Sequence, residues 1–152
     1  MHYEVGPEGI DEGGLIFLTP EAFWFWSPAQ AQSKDVAGYT TARMIEAAAS
    51  DRPNVELVAG TDLAVFRVTG RALIPGERIE FVYGAGEHGA QVDRYAERRA
   101  EIMLAVDSDG NGFRSWVEEA PRLDIHGQTA SRLVAFGPAE IAPGEGFEVV
   151  LA

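Results

Sequence analysis

The stretch 63–84, LAVFRVTGRALIPGERIEFVYG, sets the tightest constraint on what this chain can fold into. Ala64, Phe66 and Val68 alternate with Val65, Arg67 and Thr69. Beyond a Pro75-Gly76-Glu77 turn, Ile79, Phe81 and Tyr83 alternate with Glu80, Val82 and Gly84. Successive side chains of a strand point to opposite faces, so a period of two marks a strand with one buried face. Proline pre-sets the φ of a turn and glycine tolerates positive φ, which is why Pro-Gly punctuates the two runs. The phrase returns as Pro143-Gly144-Glu145, followed by Phe147, Val149 and Leu151 alternating with Glu148 and Val150.

Similar runs recur along the chain. Residues 2–5 read as a short strand, 15–18 as a buried one, and 55–59 and 102–106 as half-buried ones. Residues 113–118 read as the hairpin partner of 102–106, and Leu123 with Ile125 as a further strand. The segment 39–51 mixes alanines that suit a helix with Tyr39, Thr40 and Thr41 that suit a strand, and is read as a strand entering irregular chain. Residues 93–101, DRYAERRAE, are read as a short helix or a solvated edge. Short strands at regular spacing, separated by Gly/Pro turns, predict an all-β fold: an antiparallel β-sandwich with little helix. Phe66, Phe81, Leu104 and Phe147 are expected in its core. Residues 1–126 form the sandwich module, and on the pattern alone 127–152 supply its last hairpin.

Charge narrows the partners. Twenty-four acids against twelve bases give a net charge of −12. That field repels phosphate backbones and anionic lipid, so neither nucleic acid nor a membrane surface is an expected partner. With no cysteine, disulfides, thiolate metal sites and cysteine nucleophiles are excluded. The opening MHYEVGPEGIDEGG has neither a basic n-region nor an apolar h-region and is not read as a secretory signal.

Two clusters could carry binding chemistry. In Ala22-Phe23-Trp24-Phe25-Trp26 a strand would turn Phe23 and Phe25 to one face and Trp24 and Trp26 to the other. Either 29–37 folds back over the second face, or Trp24 and Trp26 form an exposed platform for a sugar ring or another domain. The second cluster is Asp107-Ser-Asp109-Gly-Asn111-Gly112 with Glu118, which satisfies the D-x-[DN]-x-[DN]-G-x5-E spacing of a calcium loop. Ca²⁺ takes six to eight oxygens, and Glu118 would close such a site with two. The flanks disagree: the run before Asp107 alternates like a strand, Pro121 stands where an exit helix would run, and Arg114 replaces an apolar residue. The favoured reading is a hairpin turn built from Asp, Asn and Gly, holding Ca²⁺ weakly if at all, and no other cofactor is implied. His2, His88 and His126 are too scattered to present a metal site, and no G-x-S-x-G or H-E-x-x-H motif occurs.

The order of phrases YEVGPEGIDEGGLIF, WSPAQAQSKDVAGYTTA, LIPGERIEFVYGAG, AVDSDGNGFRSWVEEAPRLDIHG and TASRLVAFGPAEIAPGEGFEVVLA resembles a bacterial group of domain-of-unknown-function proteins. In these, Ig-like β modules precede a metal-dependent barrel related to polymerase-and-histidinol-phosphatase (PHP) hydrolases. The resemblance implies that this chain is the Ig-like leading region, and that a second module opens within 127–152. It implies a non-catalytic accessory module whose partner is another domain of the same polypeptide. The barrel's His and Asp ligands have no counterpart here, so no catalytic residue carries over. Two other functions stay open on the residues: a carbohydrate- or ligand-binding sandwich using Trp24, Trp26 and a weak Ca²⁺ site, and a small enzyme whose site assembles from loops.

Overall fold

The structure is a computed structural model and describes residues 1–21, 25–47, 53–58, 63–127, 135–136, 140, 142–144, 146 and 150–151. Among them are eleven strands and no helix. Strands β1 (His2–Glu4), β6 (Arg78–Tyr83) and β3 (Thr40–Glu46) form a three-stranded sheet with β6 in the middle. A larger sheet runs β4 (Asn54–Leu57), β5 (Ala64–Thr69), β2 (Leu15–Pro20), β7 (Glu97–Asp107). Past β7 it is continued by β8 (Ser115–Trp116) along one half of that strand and β9 (Arg122–Ile125) along the other. Strands β10 (Ala135–Phe136) and β11 (Val150–Leu151) pair with each other. Every ladder is antiparallel. The expected all-β sandwich is therefore the fold.

Alternation places the core. Ile16 and Leu18 of β2, Ala64, Phe66 and Val68 of β5, and Leu104 of β7 point from the larger sheet toward Ile79 and Phe81 of β6. Where the sheets meet, the Phe66 and Phe81 rings pack edge to face with centroids 5.5 Å apart. Each such fully buried side chain contributes roughly 1.5–3 kcal/mol, and an aromatic pair about 0.5–1.5 more. Phe66, Phe81 and Leu104 are core residues as expected, while Phe147 lies outside the described residues.

The turn that joins β5 to β6 is anchored by a buried charge. Glu77 is only 2% exposed, and its carboxylate accepts two hydrogen bonds from the Arg71 guanidinium, at 2.6 and 3.0 Å, and one from the Ile74 amide at 3.0 Å. Gly76, at φ 86°, gives its amide to the Val5 carbonyl, and Val5 returns a bond to the Glu77 carbonyl. Those two bonds clamp β1 beside β6.

One segment departs from expectation. Residues 97–101 are neither helix nor solvated edge but the first half of β7, which runs eleven residues. A bulge between Glu97 and Ala100 puts Arg99 at φ 62°, held by its amide donating to Asp124 Oδ1 at 2.9 Å. The extra residue breaks the period of two, so Arg98 and Arg99 are both exposed and no alternation shows in the sequence.

Because a carboxylate this deep is costly without its partner, Arg71→Met should destabilise the fold by about 3 kcal/mol in urea denaturation. The double variant Arg71→Met/Glu77→Leu should recover part of that loss. A single variant as stable as the parent would show that the ion pair does not hold the turn.

Candidate functional site

The acidic turn between β7 and β8 is a hairpin. Ala105 pairs with Trp116 and Val106 with Ser115 on either side of it. Asp107 ends β7 only 1% exposed, and its two carboxylate oxygens accept the Asn111 amide at 3.1 Å and the Gly112 amide at 2.9 Å. Asp109 accepts from the Asn111 amide and from Asn111 Nδ2, at 3.2 and 2.7 Å. Asn111 Oδ1 in turn accepts the Phe113 amide at 2.8 Å, and Gly112 supplies the φ of 93° that the bend needs. The three short polar side chains are thus brought together, each with lone pairs committed to the turn's own amides. Glu118 is not brought to them. The register carries it toward Met103, about four residues and roughly 13 Å along the strand from Asp107. Among the described residues no three His, Cys, Asp or Glu side chains are grouped to hold a metal ion.

Arg114 has a different task from the apolar residue a calcium loop would place there. Its guanidinium lies 3.7 Å over the Phe17 ring. Phe17, Val65 and Ala105 form an apolar cluster on the outer face of the larger sheet, and Arg114 is part of its cover.

The tryptophan platform is not formed as a strand face. Phe25 sits in a turn at φ 75° with the Arg94 guanidinium 3.5 Å above its ring. The left-handed residue breaks the alternation that would have exposed Trp26. Trp26 is 9% exposed and packs against Ala100 and Ile125, while Trp24 lies outside the described residues. The segment after Trp26 does fold into a closed loop: Gln30 donates to the Ser33 and Val36 carbonyls and accepts the amides of Gln32 and Ser33.

Phe25 itself is 53% exposed, and two further exposed aromatics lie at positions that read in the sequence only as a returning strand. Phe113 is 83% and Trp116 60% exposed. Trp116 borders a groove of about 620 Å³ that runs between β8 and the 6–9 turn, with Tyr3 and Val106 on its walls and Glu8, Ser108, Ser115 and Glu118 around it. The available signal was the sequence F-R-S-W directly after a tight polar turn, where an edge strand begins.

Two further polar groupings exist. A cavity of about 460 Å³ at the β7–β9 end is lined by Glu97, Arg98, Asp124 and His126 and, among the described residues, by no Ser, Thr, Cys or Lys nucleophile. Glu21, at the end of β2, faces Glu97, Glu101 and Asp93; burial first, then these carboxylates, raise its pKa above the ordinary 4.5.

Asp107→Ala should cost about 1–3 kcal/mol by orphaning the Gly112 amide and leaving the Asn111 amide to Asp109 alone, whereas Asp109→Ala should stay within roughly 0.5 kcal/mol. The melting temperature of the parent should not move in millimolar Ca²⁺, and tight binding in calorimetry would overturn this account of the turn. Between 4.5 and its raised pKa, Glu21 binds more proton in the native state than in the unfolded chain. Its ionised form therefore destabilises the fold at neutral pH, and the penalty is relieved as pH falls through the raised pKa toward 4.5. Glu21→Gln should accordingly be more stable than the parent at pH 7, with the advantage shrinking toward pH 4.5 in urea titrations. Comparison with protein-family models, with curated proteins and with solved structures gives no match.

Proposed function

We propose that the chain is a non-catalytic β-sandwich accessory module that docks another domain of its own polypeptide through the β8 edge. The observation that carries this reading is Trp116, exposed beside the groove at a sheet edge that no described strand pairs, with Phe113 also exposed three residues before it. A monomer gains nothing by keeping large aromatics in water, and aromatics beside a groove are the usual anchors of interfaces. Register adds to this: Trp116 is opposite Ala105, so it continues the outer-face row of Phe17, Val65 and Ala105 to the margin of the sheet. The resemblance to modules that precede a PHP-type barrel supplies the kind of partner.

The Ig-like assignment belongs to the same proposal. The order β4-β5-β2 over β3-β6 matches strands D-E-B over C-F of the immunoglobulin sandwich. Strand β1 stands beside β6 where a G strand would be, and β7 beside β2 where an A strand would be, so the outer strands are exchanged relative to that plan.

A glycan is the second reading, favoured by the hydroxyls of Ser108 and Ser115 and the carboxylates of Glu8 and Glu118 around Trp116. Such groups bond sugar hydroxyls while the indole stacks on the ring.

Hydrogen exchange at 113–118 separates the two. In the product of the whole reading frame, exchange there should slow at least about tenfold relative to the 152-residue chain, and Phe113→Ser/Trp116→Ser should abolish the difference without lowering the melting temperature. Equal exchange in both, or a reading frame that stops at Ala152, would sink the docking reading. Quenching of Trp116 fluorescence in the short chain by an oligosaccharide series would establish the glycan instead.

A further inference from the structure

Two polar atoms among the described residues are buried without a hydrogen-bond partner: the indole Nε1 of Trp26 and the Oε2 of Glu21. Both residues line one cavity of about 210 Å³, away from the β8 edge, whose other walls include Leu18, Pro20, Pro28, Ala29 and Leu63. A buried N–H left unpaired is costly, and folded proteins leave few such groups. Two of them in one cavity is the pattern of a binding site: mostly apolar walls with a small number of placed polar atoms.

The surroundings select the ligand. Water could bond to the two atoms and to Thr19, which also lines the cavity, but Ser27 Oγ is already engaged by Tyr83 and Gln91 and the rest of the wall is leucine, proline and alanine, which offers further waters few of the two to four partners each needs. An apolar body fills that space better. The charge beside it is negative, since Glu97, Glu101 and Asp93 surround Glu21. An anion is disfavoured there, and a cation is attracted by the same group of carboxylates. The indole N–H has the opposite need, an oxygen lone pair, because it can only donate.

We propose that this cavity binds a small organic ammonium compound that also carries a hydroxyl or carbonyl oxygen. Its ammonium donates to Glu21, its oxygen accepts the Trp26 Nε1–H, and a short hydrocarbon body lies against Leu18, Pro20 and Leu63. The cavity is also braced from outside. Ser27 Oγ lies 2.9 Å from the Tyr83 hydroxyl and accepts the Gln91 amide at 3.0 Å. Gly38, at φ 85°, comes so close to the Pro28 carbonyl that a Cβ there would stand 2.2 Å from its oxygen. The walls from Trp26 to Ala29 are therefore fixed before any ligand arrives, which is the preorganisation that makes a small site bind.

The test uses the ¹⁵N-labelled chain and reads the indole N–H resonance of Trp26, assigned by its loss in Trp26→Phe. The probe is trans-4-aminocyclohexanol, with an ammonium and a hydroxyl at opposite ends of an apolar ring. Cyclohexane-1,4-diol serves as the uncharged control and 4-hydroxycyclohexanecarboxylate as the anionic one. The amino alcohol should shift the Trp26 indole resonance saturably with a Kd of about 1 mM, in keeping with a ligand of roughly eight heavy atoms. The diol should bind at least about tenfold more weakly, the carboxylate should produce no shift, and Glu21→Gln should weaken the amino alcohol by about tenfold. No saturable shift at high millimolar probe would overturn the proposal, and so would equal shifts from all three compounds. A cross-relaxation signal from the indole proton to bulk-exchanging water that persists unchanged with the probe would do the same, since it would leave a hydrated cavity only. Should Glu21→Gln fail to fold, the ranking of the three compounds on the unmodified chain decides the matter.

Discussion

A buried carboxylate holds the two sheets in their relation. Glu77 lies under the β5–β6 crossover and gathers Arg71 and the Ile74 amide, while the backbone at Gly76 and Glu77 bonds Val5. Strand β6 starts at the next residue and, among the described strands, is the only one to which both β1 and β3 pair. Its register therefore sets the whole smaller sheet. The same crossover leaves β5, which sits second in the larger sheet, so the position of Glu77 decides how Phe66 of β5 meets Phe81 of β6. Hydrophobic burial supplies most of the driving force, but it is non-directional and would accept neighbouring registers. A one-residue slip would turn Ile79 and Phe81 to solvent, and would also strip the carboxylate of its donors. Apolar energy and polar specificity meet at one turn.

The outer faces of the two sheets are built on different terms, and that difference sets where a partner can act. On the smaller sheet His2, Glu80 and Arg43 stand opposite one another across β1, β6 and β3, and Glu4 and Glu46 flank Arg78 in the same way. Exposed pairs of this kind are worth little in stability, but they keep the face hydrated and unattractive to other strands. The larger sheet instead carries Phe17, Val65 and Ala105 outward, with Arg114 stacked on Phe17. That row ends in Trp116 at an edge whose far side is unpaired among the described strands. The docking proposed at β8 rests on this contrast between a charged outer face and one that is apolar toward an edge.

What the sequence made legible follows from what a period can encode. Strands β4, β5, β6 and the second half of β7 were readable because burial of one face writes itself as alternation, and β2 because burial on both faces leaves a short unbroken apolar run. Thr40–Glu46 was readable as strand through its β-branched start despite the alanines beyond it. The first half of β7 was not, because the bulge at Arg99 shifts the phase and β9 pairs with a stretch rich in arginine. Trp26 was misplaced for a related reason: one left-handed residue, Phe25, ends any strand before the tryptophan. Glu77 gave no warning at all. In Pro-Gly-Glu a glutamate reads as a solvated turn residue, and only the fold reveals that Arg71, six positions earlier, curls back to meet it.

The acidic turn and the Trp26 cavity show why residue types at the right spacing underdetermine a site. Asp107, Asp109 and Asn111 have the spacing that a calcium loop requires, yet the same short side chains at the same intervals also bond the amides of a tight hairpin. Asp107 accepts two amides of that hairpin, and the ligand that would complete the shell, Glu118, is drawn away by the ladder of β8. Trp26 and Glu21 are the reverse. Nothing in their spacing suggests a site, since five residues and a positive-φ turn separate them, but folding brings both to one cavity with an unpaired atom apiece. A motif whose polar atoms already bond one another has less to offer a ligand than two unrelated residues whose polar atoms do not. The accounting of hydrogen-bond partners, which only the folded chain permits, is what favours the cavity proposed above over a turn whose polar atoms are already bonded.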